Sequence, residues 1–361
     1  MMHFKQILVV KETRANEGRV ALTPQTVATL VKRNYRIWVE TDAGVKAGFT
    51  NADYVNAGAE LFTLTSSGFP PDTFIVRVLR PSKERELLEN NCFQANTAML
   101  GFLFPFVDDT HMSTWQRLGL TTLSFDLFKS ISIHDPKNAQ AAMSRIAGRL
   151  AFQDALKHYN GKLPAKLTVI GTGPAAMSAV NEALKHPIPV QVFGRQEQHR
   201  TELEALGITY YVLPTKNPIE FIQQYLGGAT LIITAARAPG KKAPLLIDAK
   251  SLSLLPAHAN IVDLAASNGG NVFGTQCEQI ITIANDIRII SVSGYPKTEP
   301  RNASEAYAQC VLSVLTEIMS PIGEVSFQNK WVQEIWVTHK QQRHDALYSN
   351  FHEYEDSKLQ S

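Results

Sequence analysis

The sequence predicts an α/β protein of two domains, the second a doubly wound sheet inserted into the first. Three observations predict it. Short apolar runs alternate with helical patterns along most of the 361 residues, the signature of strand–helix–strand units and parallel sheets. That length is too great for one ordinary core and comfortable for two. One continuously helical stretch, 138–158, divides the strand series in two, and a helix after Ser304 follows the second series. The expected division is residues 1–137 plus 296–361 as a discontinuous α/β domain, with 138–295 as the other.

In the first series, Ile7-Leu8-Val9-Val10 leads into a polar loop, Lys11 to Arg19. Thr23-Pro24 then reads as an N-cap with proline at the first helical position, starting a helix over 24–34. The strand Arg36–Glu40 follows, and further strands are expected at Phe74–Leu79, Thr97–Leu100 and Thr121–Ser124, with helices near 82–90 and 109–118. The helix over 138–158 carries apolar residues at Ala141, Ile146, Leu150, Phe152 and Leu156. Six strands make the second series: Leu167–Ile170, Val190–Phe193, Ile208–Tyr211, Thr230–Ile233, Asn260–Asp263 and Ile287–Ile290. A helix over Ser304–Met319 comes next. The segment 326–361 is amphipathic, with Trp331, Ile335 and Trp336 on one side, and is expected to be a helix packed on the first domain or an arm for a partner.

Composition narrows the function. Hydrophobic residues make up 44% and charged residues 19%, as in globular proteins. The 35 Lys plus Arg nearly balance 33 Asp plus Glu, so nothing marks a nucleic-acid partner. No stretch approaches the roughly 20 apolar residues of a membrane span, and MMHFKQILVV lacks the features of a signal peptide. A cytoplasmic protein is expected. Cys92, Cys277 and Cys310 are far apart and odd in number, which suggests neither a disulfide framework nor a metal site.

The motif with the clearest mechanics is Lys166-Leu-Thr-Val-Ile-Gly171-Thr-Gly173-Pro174-Ala175-Ala176. A buried strand runs into G-x-G-x-x-A and then into a helix. Gly171 permits the tight turn, Gly173 lets a pyrophosphate approach the backbone, and Ala176 allows close helix–strand packing. The helix start offers unsatisfied N–H groups to phosphate. This is the arrangement of a Rossmann-like, dinucleotide-binding domain, so NAD or NADP is the expected cofactor. The next strand ends at Gly194-Arg195, where an NAD-binding domain places an acidic residue on the ribose diol. Without that carboxylate, and with a guanidinium beside it, NADP is favoured. Strand-end positions Thr234, Ala235, Asp263, Leu264 and Asn268 complete the expected cofactor site, because ligands bind at the carboxyl ends of such strands.

Stretches spread over nearly the whole chain resemble one family. Asn16-Glu17-Gly18-Arg19-Val20-Ala21-Leu22-Thr23-Pro24 is similar to the signature shared by alanine dehydrogenases and the alpha subunits of NAD(P) transhydrogenases. Val39–Gly44, Ala57–Glu60, Met143–Gly148, Pro239–Pro244, Ile261–Asn271, Gly294-Tyr295 and Pro300-Arg301 continue the resemblance. It implies two Rossmann-like α/β domains, a homodimer formed through the second, and hydride transfer. It also implies the roles of particular residues. Arg19 matches the arginine with which alanine dehydrogenases hold the substrate carboxylate. Their Lys, His and Asp fall on Leu79, Phe104 and Ser267, which removes the groups for proton transfer. Phe102-Leu103-Phe104-Pro105 looks instead like the transhydrogenase F-x-W-P. The transhydrogenase Arg, Gln and Asp fall on Ser130, Asp135 and Asn138, so that side is incomplete too, and its membrane and second nucleotide-binding domains would come from separate subunits.

Three residues join Arg19 as site candidates. Arg77 and Arg80 flank Leu79 at a strand end, where a small anionic substrate is expected to bind, and Tyr295 is a candidate to face the nicotinamide. His111 and His134 read as solvated. The expected function is hydride transfer between two nicotinamides, with an amino-acid or imino-acid dehydrogenase and an NADP(H)-binding regulator as alternatives.

Overall fold

The computed structural model describes residues 1–344 apart from 95, 107–109, 130, 162–163, 238–241 and 293. The chain divides into two units, Met1–Met143 with Lys297–Ser361, and Ser144–Pro296.

The first unit is built on six parallel strands: Gln6–Val9, Ile37–Glu40, Glu60–Phe62, Thr73–Leu79, Ala98–Phe102 and Thr121–Ser124. Numbered along the chain, they lie across the sheet in the order 3-2-1-4-5-6. This is the doubly wound order, whose reversal between strands 1 and 4 opens a crevice at their carboxyl ends. The central runs are β-branched and apolar because both faces are covered; Leu8, Val9, Phe74, Ile75, Val76 and Leu100 are buried. The short edge strand Glu60–Phe62 makes no such run, since two of its three residues are exposed, and it has no counterpart among the expected strands. Thr23 caps the helix Pro24–Val31 in a capping box with Thr26, which fixes where the chain leaves its polar loop. The helix Pro300–Ile318 belongs to this unit, and Ser304 in its first turns accepts from the backbone N–H of Val20 at 2.9 Å.

The C-terminal expectation needs correction. In place of a long helix, a short one, Lys330–Ile335, is followed by the strand Trp336–His339, antiparallel to Thr121–Ser124, and then by Gln342–Arg343. The sixth parallel strand would otherwise expose a row of backbone groups, and Val337 and Thr338 suit the pleat that covers it. The Thr338 and Thr122 hydroxyls meet at 2.8 Å across the new pair. Residues 345–361 lie outside the described residues.

The second unit repeats the order. Leu167–Ile170, Val190–Gly194, Thr209–Val212, Leu231–Thr234, Asn260–Asp263 and Arg288–Ile290 run parallel as 3-2-1-4-5-6, with Ile280–Thr282 added antiparallel at the edge. The helix Ala139–Lys157, which carries the division between the units, packs beneath the start of Pro174–Ala183. Gly148 makes that approach possible, since a Cβ there would run into the carbonyl oxygen of Ala175. Replacing Gly148 by Ala is therefore expected to force the helices apart and lower stability by about 1–3 kcal/mol. Urea denaturation measures this, and an unchanged midpoint would contradict the contact.

Candidate functional site

In the first unit the carboxyl ends of strands 1 and 4 carry a cluster of buried charges. Strand Thr73–Leu79 shifts register between Val76 and Leu79 against its neighbour, a bulge that frees backbone groups. Glu12 takes over the donors, accepting from Val78 N–H at 2.6 Å and Leu79 N–H at 3.3 Å. Tyr307 takes an acceptor, its hydroxyl donating to the Arg77 carbonyl at 2.8 Å. Burial pushes the Glu12 carboxyl up to about 7, with Arg77 opposing the rise.

The arginines expected to receive a substrate are partnered within this unit. Arg77 is 1% exposed and donates from one nitrogen to both oxygens of Glu89, at 2.8 and 2.9 Å. Arg80 is bonded to Glu86 at 2.7 Å. The reading of both as surface anion binders gives way to a buried ionic lattice, because a guanidinium excluded from water must be paired. Arg85 extends the lattice from Glu89 to Glu40. Arg19 donates from Nε and Nη2 to the two oxygens of Glu17, at 2.7 and 2.6 Å, and from Nη1 to Met143 Sδ at 3.3 Å. Burial pulls the Arg19 pKa down, but the Glu17 bonds and charge outweigh it and the net shift is upward.

The Phe102–Pro105 turn is held by Asp126, whose Oδ2 accepts from Leu103 N–H and Phe104 N–H, each at 3.0 Å. Phe104 has φ +52° and its ring lies 5.3 Å from the Arg14 guanidinium. Leu79 is buried. His111 is not solvated as expected: it is 1% exposed and packs edge-on against Trp115 at 4.9 Å. His134 is exposed. Asp135 and Asn138 tie their own loop, Asp135 to Lys137 and Asn138 to the Ser132 carbonyl; Ser130 lies outside the described residues.

In the second unit the glycine turn stands at the reversal between strands 1 and 4. Gly171 has φ +125°, which favours glycine, and its α-carbon faces the Ala235 carbonyl so closely that a Cβ would meet that oxygen at 3.2 Å. Gly173 is the opposite case: a Cβ there meets nothing within 4 Å. It begins the helix Pro174–Ala183 with no side-chain cap, leaving the Ala175 and Ala176 end open to an incoming anion. Ala176 is fully buried beneath the turn. Gly194 is obligatory for a different reason, since a Cβ would strike the Tyr210 hydroxyl and the Thr172 methyl. Tyr210 is itself fixed, donating to the Gln196 carbonyl at 2.7 Å. Arg195 is exposed and makes no hydrogen bond or ion pair among the described residues.

Asp263 has a task the sequence did not announce. Its Oδ1 accepts from the Thr234 hydroxyl and Ala265 N–H, and its Oδ2 from Asn271 N–H, Val272 N–H and the Thr275 hydroxyl, all between 2.8 and 3.3 Å. A carboxylate so engaged shapes the strand-end loop, and its lone pairs are taken. Leu264 is partly buried, its N–H on the Thr234 carbonyl, while Ser267 and Asn268 are exposed. Tyr295 is buried in the core of this unit with its hydroxyl on Asp154 at 2.8 Å, so burial and that carboxylate raise its pKa. This places its polar end inside the unit, where the expectation had it facing a ligand.

Residues 8–147 match the model described as "Alanine dehydrogenase/PNT, N-terminal domain", and residues 151–345 the corresponding C-terminal domain. The chain belongs to the alanine dehydrogenase/PNT family. Similar members include an NAD(P) transhydrogenase subunit alpha chain of Rickettsia prowazekii, 24% identical over 92% of this chain and 94% of the relative. "NAD(P) transhydrogenase subunit alpha" of Haemophilus influenzae is 27% identical over 85% of this chain, which spans 65% of that relative's length. "Alanine dehydrogenase 1" of Staphylococcus aureus is 26% identical, over 86% of this chain and 87% of its own length. Among solved structures, a transhydrogenase from Sinorhizobium meliloti superposes with a TM-score of 0.84 at 22% identity, over 94% of this chain and 99% of that one. An L-alanine dehydrogenase superposes at 0.80 and 23%, over 96% and 99%. The family fold is thus complete here. Among the described residues no helix is long and apolar enough to cross a membrane, and no group of His, Cys, Asp and Glu is arranged to hold a metal.

Sequence reasoning missed Glu12, Asp126 and Tyr210. Each acts on backbone or on a glycine remote in sequence, so no local spacing betrays it.

Glu12 makes the stability of this family member depend on pH. Between its ordinary value of 4.5 and about 7 the folded state holds a proton that the unfolded chain releases. The contribution is present below 4.5 and is lost as pH rises through 7, with a full effect of about 3 kcal/mol at most. Denaturation from pH 4.5 to 8 should show the wild type losing stability more steeply than Glu12→Gln; parallel curves would refute the assignment.

Proposed function

We propose that the protein is an NAD(P)-dependent oxidoreductase that passes hydride between nicotinamide dinucleotides, as the names of its transhydrogenase relatives imply. The observation that carries the reading is the open Gly173 at the carboxyl-edge reversal of the second sheet, beside an uncapped helix start. A bound dinucleotide would supply the hydride chemistry. Gly171, Gly173, Ala175 and Ala176 would receive its pyrophosphate, with Pro174 setting the helix start. Thr234, Ala235, Leu264 and Asn268 would border it at the ends of strands 4 and 5, and Asp263 would hold their loop in shape. Near-complete coverage of a relative named as a transhydrogenase subunit supports separate transhydrogenase subunits as partners. A homodimer in the cytoplasm completes the proposal.

NADPH is the favoured cofactor. Gly194 is sterically obligatory, so no carboxylate at that position opposes a 2′-phosphate, and Arg195 is unpaired among the described residues. Arg195→Ala is expected to weaken NADPH about tenfold and leave NADH unchanged in a fluorescence titration. Equal affinity of the variant and wild type for NADPH would refute this.

The same reading predicts negligible oxidative deamination of L-alanine. Leu79, Phe104 and Ser267 offer no acid or base where alanine dehydrogenases keep theirs, and such help is typically worth about 10²–10⁴-fold. Exchange of hydride between two nicotinamides requires no such proton. Purified protein should be assayed with alanine at alkaline pH, and for reduction of an NAD analogue by NADPH with neighbouring subunits added. Robust alanine turnover would make an amino-acid or imino-acid dehydrogenase, with Arg19 on the carboxylate, the better account. Silence in both assays with dinucleotide binding intact would favour a regulator.

A further inference from the structure

Arg237 lies three residues beyond the fourth strand of the second sheet, just after the backbone that abuts the glycine turn. Ala235 N–H donates to the Ile170 carbonyl at 2.9 Å, so the chains leaving strands 1 and 4 depart side by side. From there the Arg237 side chain reaches toward strand 5, where Nη2 meets the Leu264 carbonyl at 3.5 Å, the limit of a hydrogen bond. The residue is exposed, yet enough protein surrounds its guanidinium to push its pKa down, against the pull of Asp263. Asp263 does not bond it, because the loop already takes its lone pairs. Among the described residues Arg237 has no ion pair at all.

This sets it apart from Arg19, Arg77, Arg80, Arg85 and Arg200, each of which is fastened to a carboxylate. A partly desolvated guanidinium with one marginal bond recovers its lost hydration only from an anion. Three positive elements then stand in a row along one sheet edge: Arg195 after strand 2, the helix start after strand 1 and Arg237 after strand 4.

We infer that Arg237 is a binding residue for an oxyanion at the carboxyl-edge reversal of the second sheet. Two sources share that chemistry, the pyrophosphate of the dinucleotide and the carboxylate of a second substrate. The inference rests on the dinucleotide reading of this edge, and adds a contact that no glycine motif implies.

Wild type, Arg237→Gln and Arg237→Lys should be titrated with NADH, with ADP-ribose, and with oxalate added to the NADH complex. The exposed position predicts equal melting temperatures for all three proteins without ligand. If pyrophosphate is the partner, Arg237→Gln weakens NADH and ADP-ribose alike, by about tenfold or more, and Arg237→Lys recovers part of the loss. If a carboxylate is the partner, only oxalate binding falls. An Arg237→Gln protein that binds all three like the wild type overturns the inference while leaving the dinucleotide reading intact. A wild type that binds neither NADH nor ADP-ribose overturns both.

Discussion

A backbone N–H that leaves the carboxyl edge of a parallel sheet has lost its ladder partner, and in both units a buried carboxylate replaces it. Glu12 does so for the bulge at Val78 and Leu79, Asp126 for the turn at Leu103 and Phe104, and Asp263 for Ala265, Asn271 and Val272. The edge at which doubly wound folds take their ligands is thereby held rigid before any ligand arrives. Burial exacts a cost in return, visible in the raised pKa of Glu12 and of Asp126, both driven mainly by desolvation.

The same need for compensation sorts the cations. In the first unit the charges interlock: Arg77 and Arg85 share Glu89, and Arg85 passes on to Glu40, whose Oε2 accepts from Lys11 N–H at 2.8 Å. Removing any one member would leave its partner buried and unpaired, the expensive case for a charge. These arginines hold the bulged strand, the helix Lys83–Asn90 and the first loop together. Arg195 and Arg237 are built differently, exposed and without carboxylates. A cation that the fold leaves uncompensated beside a phosphate-binding turn is the better candidate for contact with an anion.

Glycines do the corresponding work in the second unit, through contact more than through flexibility. Gly148 admits the Ala175 carbonyl, and Gly194 admits Tyr210 and Thr172. The family-like stretch ending at Gly148 and the G-x-G-x-x-A turn are thus two halves of one packing contact. Gly194 has a further consequence, because the side chains that crowd it leave no room for an acidic residue in its place.

Much of this fold was legible in the chain by itself. Periodicity located most of the parallel strands to within a residue or two, since strands buried on both faces must be apolar throughout, and the glycine turn announced itself because its chemistry is local. Cap and proline at Thr23-Pro24 marked a helix start for the same reason. What lay beyond reach depends on distant partners. Trp336–His339 became a strand because the sixth strand had an open edge to cover. Arg77, Arg80 and Tyr295 were drawn inward by Glu89, Glu86 and Asp154, and Asp263 by a loop beginning only two residues on. Residue type and strand-end position tell where a charge stands along the chain; only tertiary packing decides whether a partner already neutralises it.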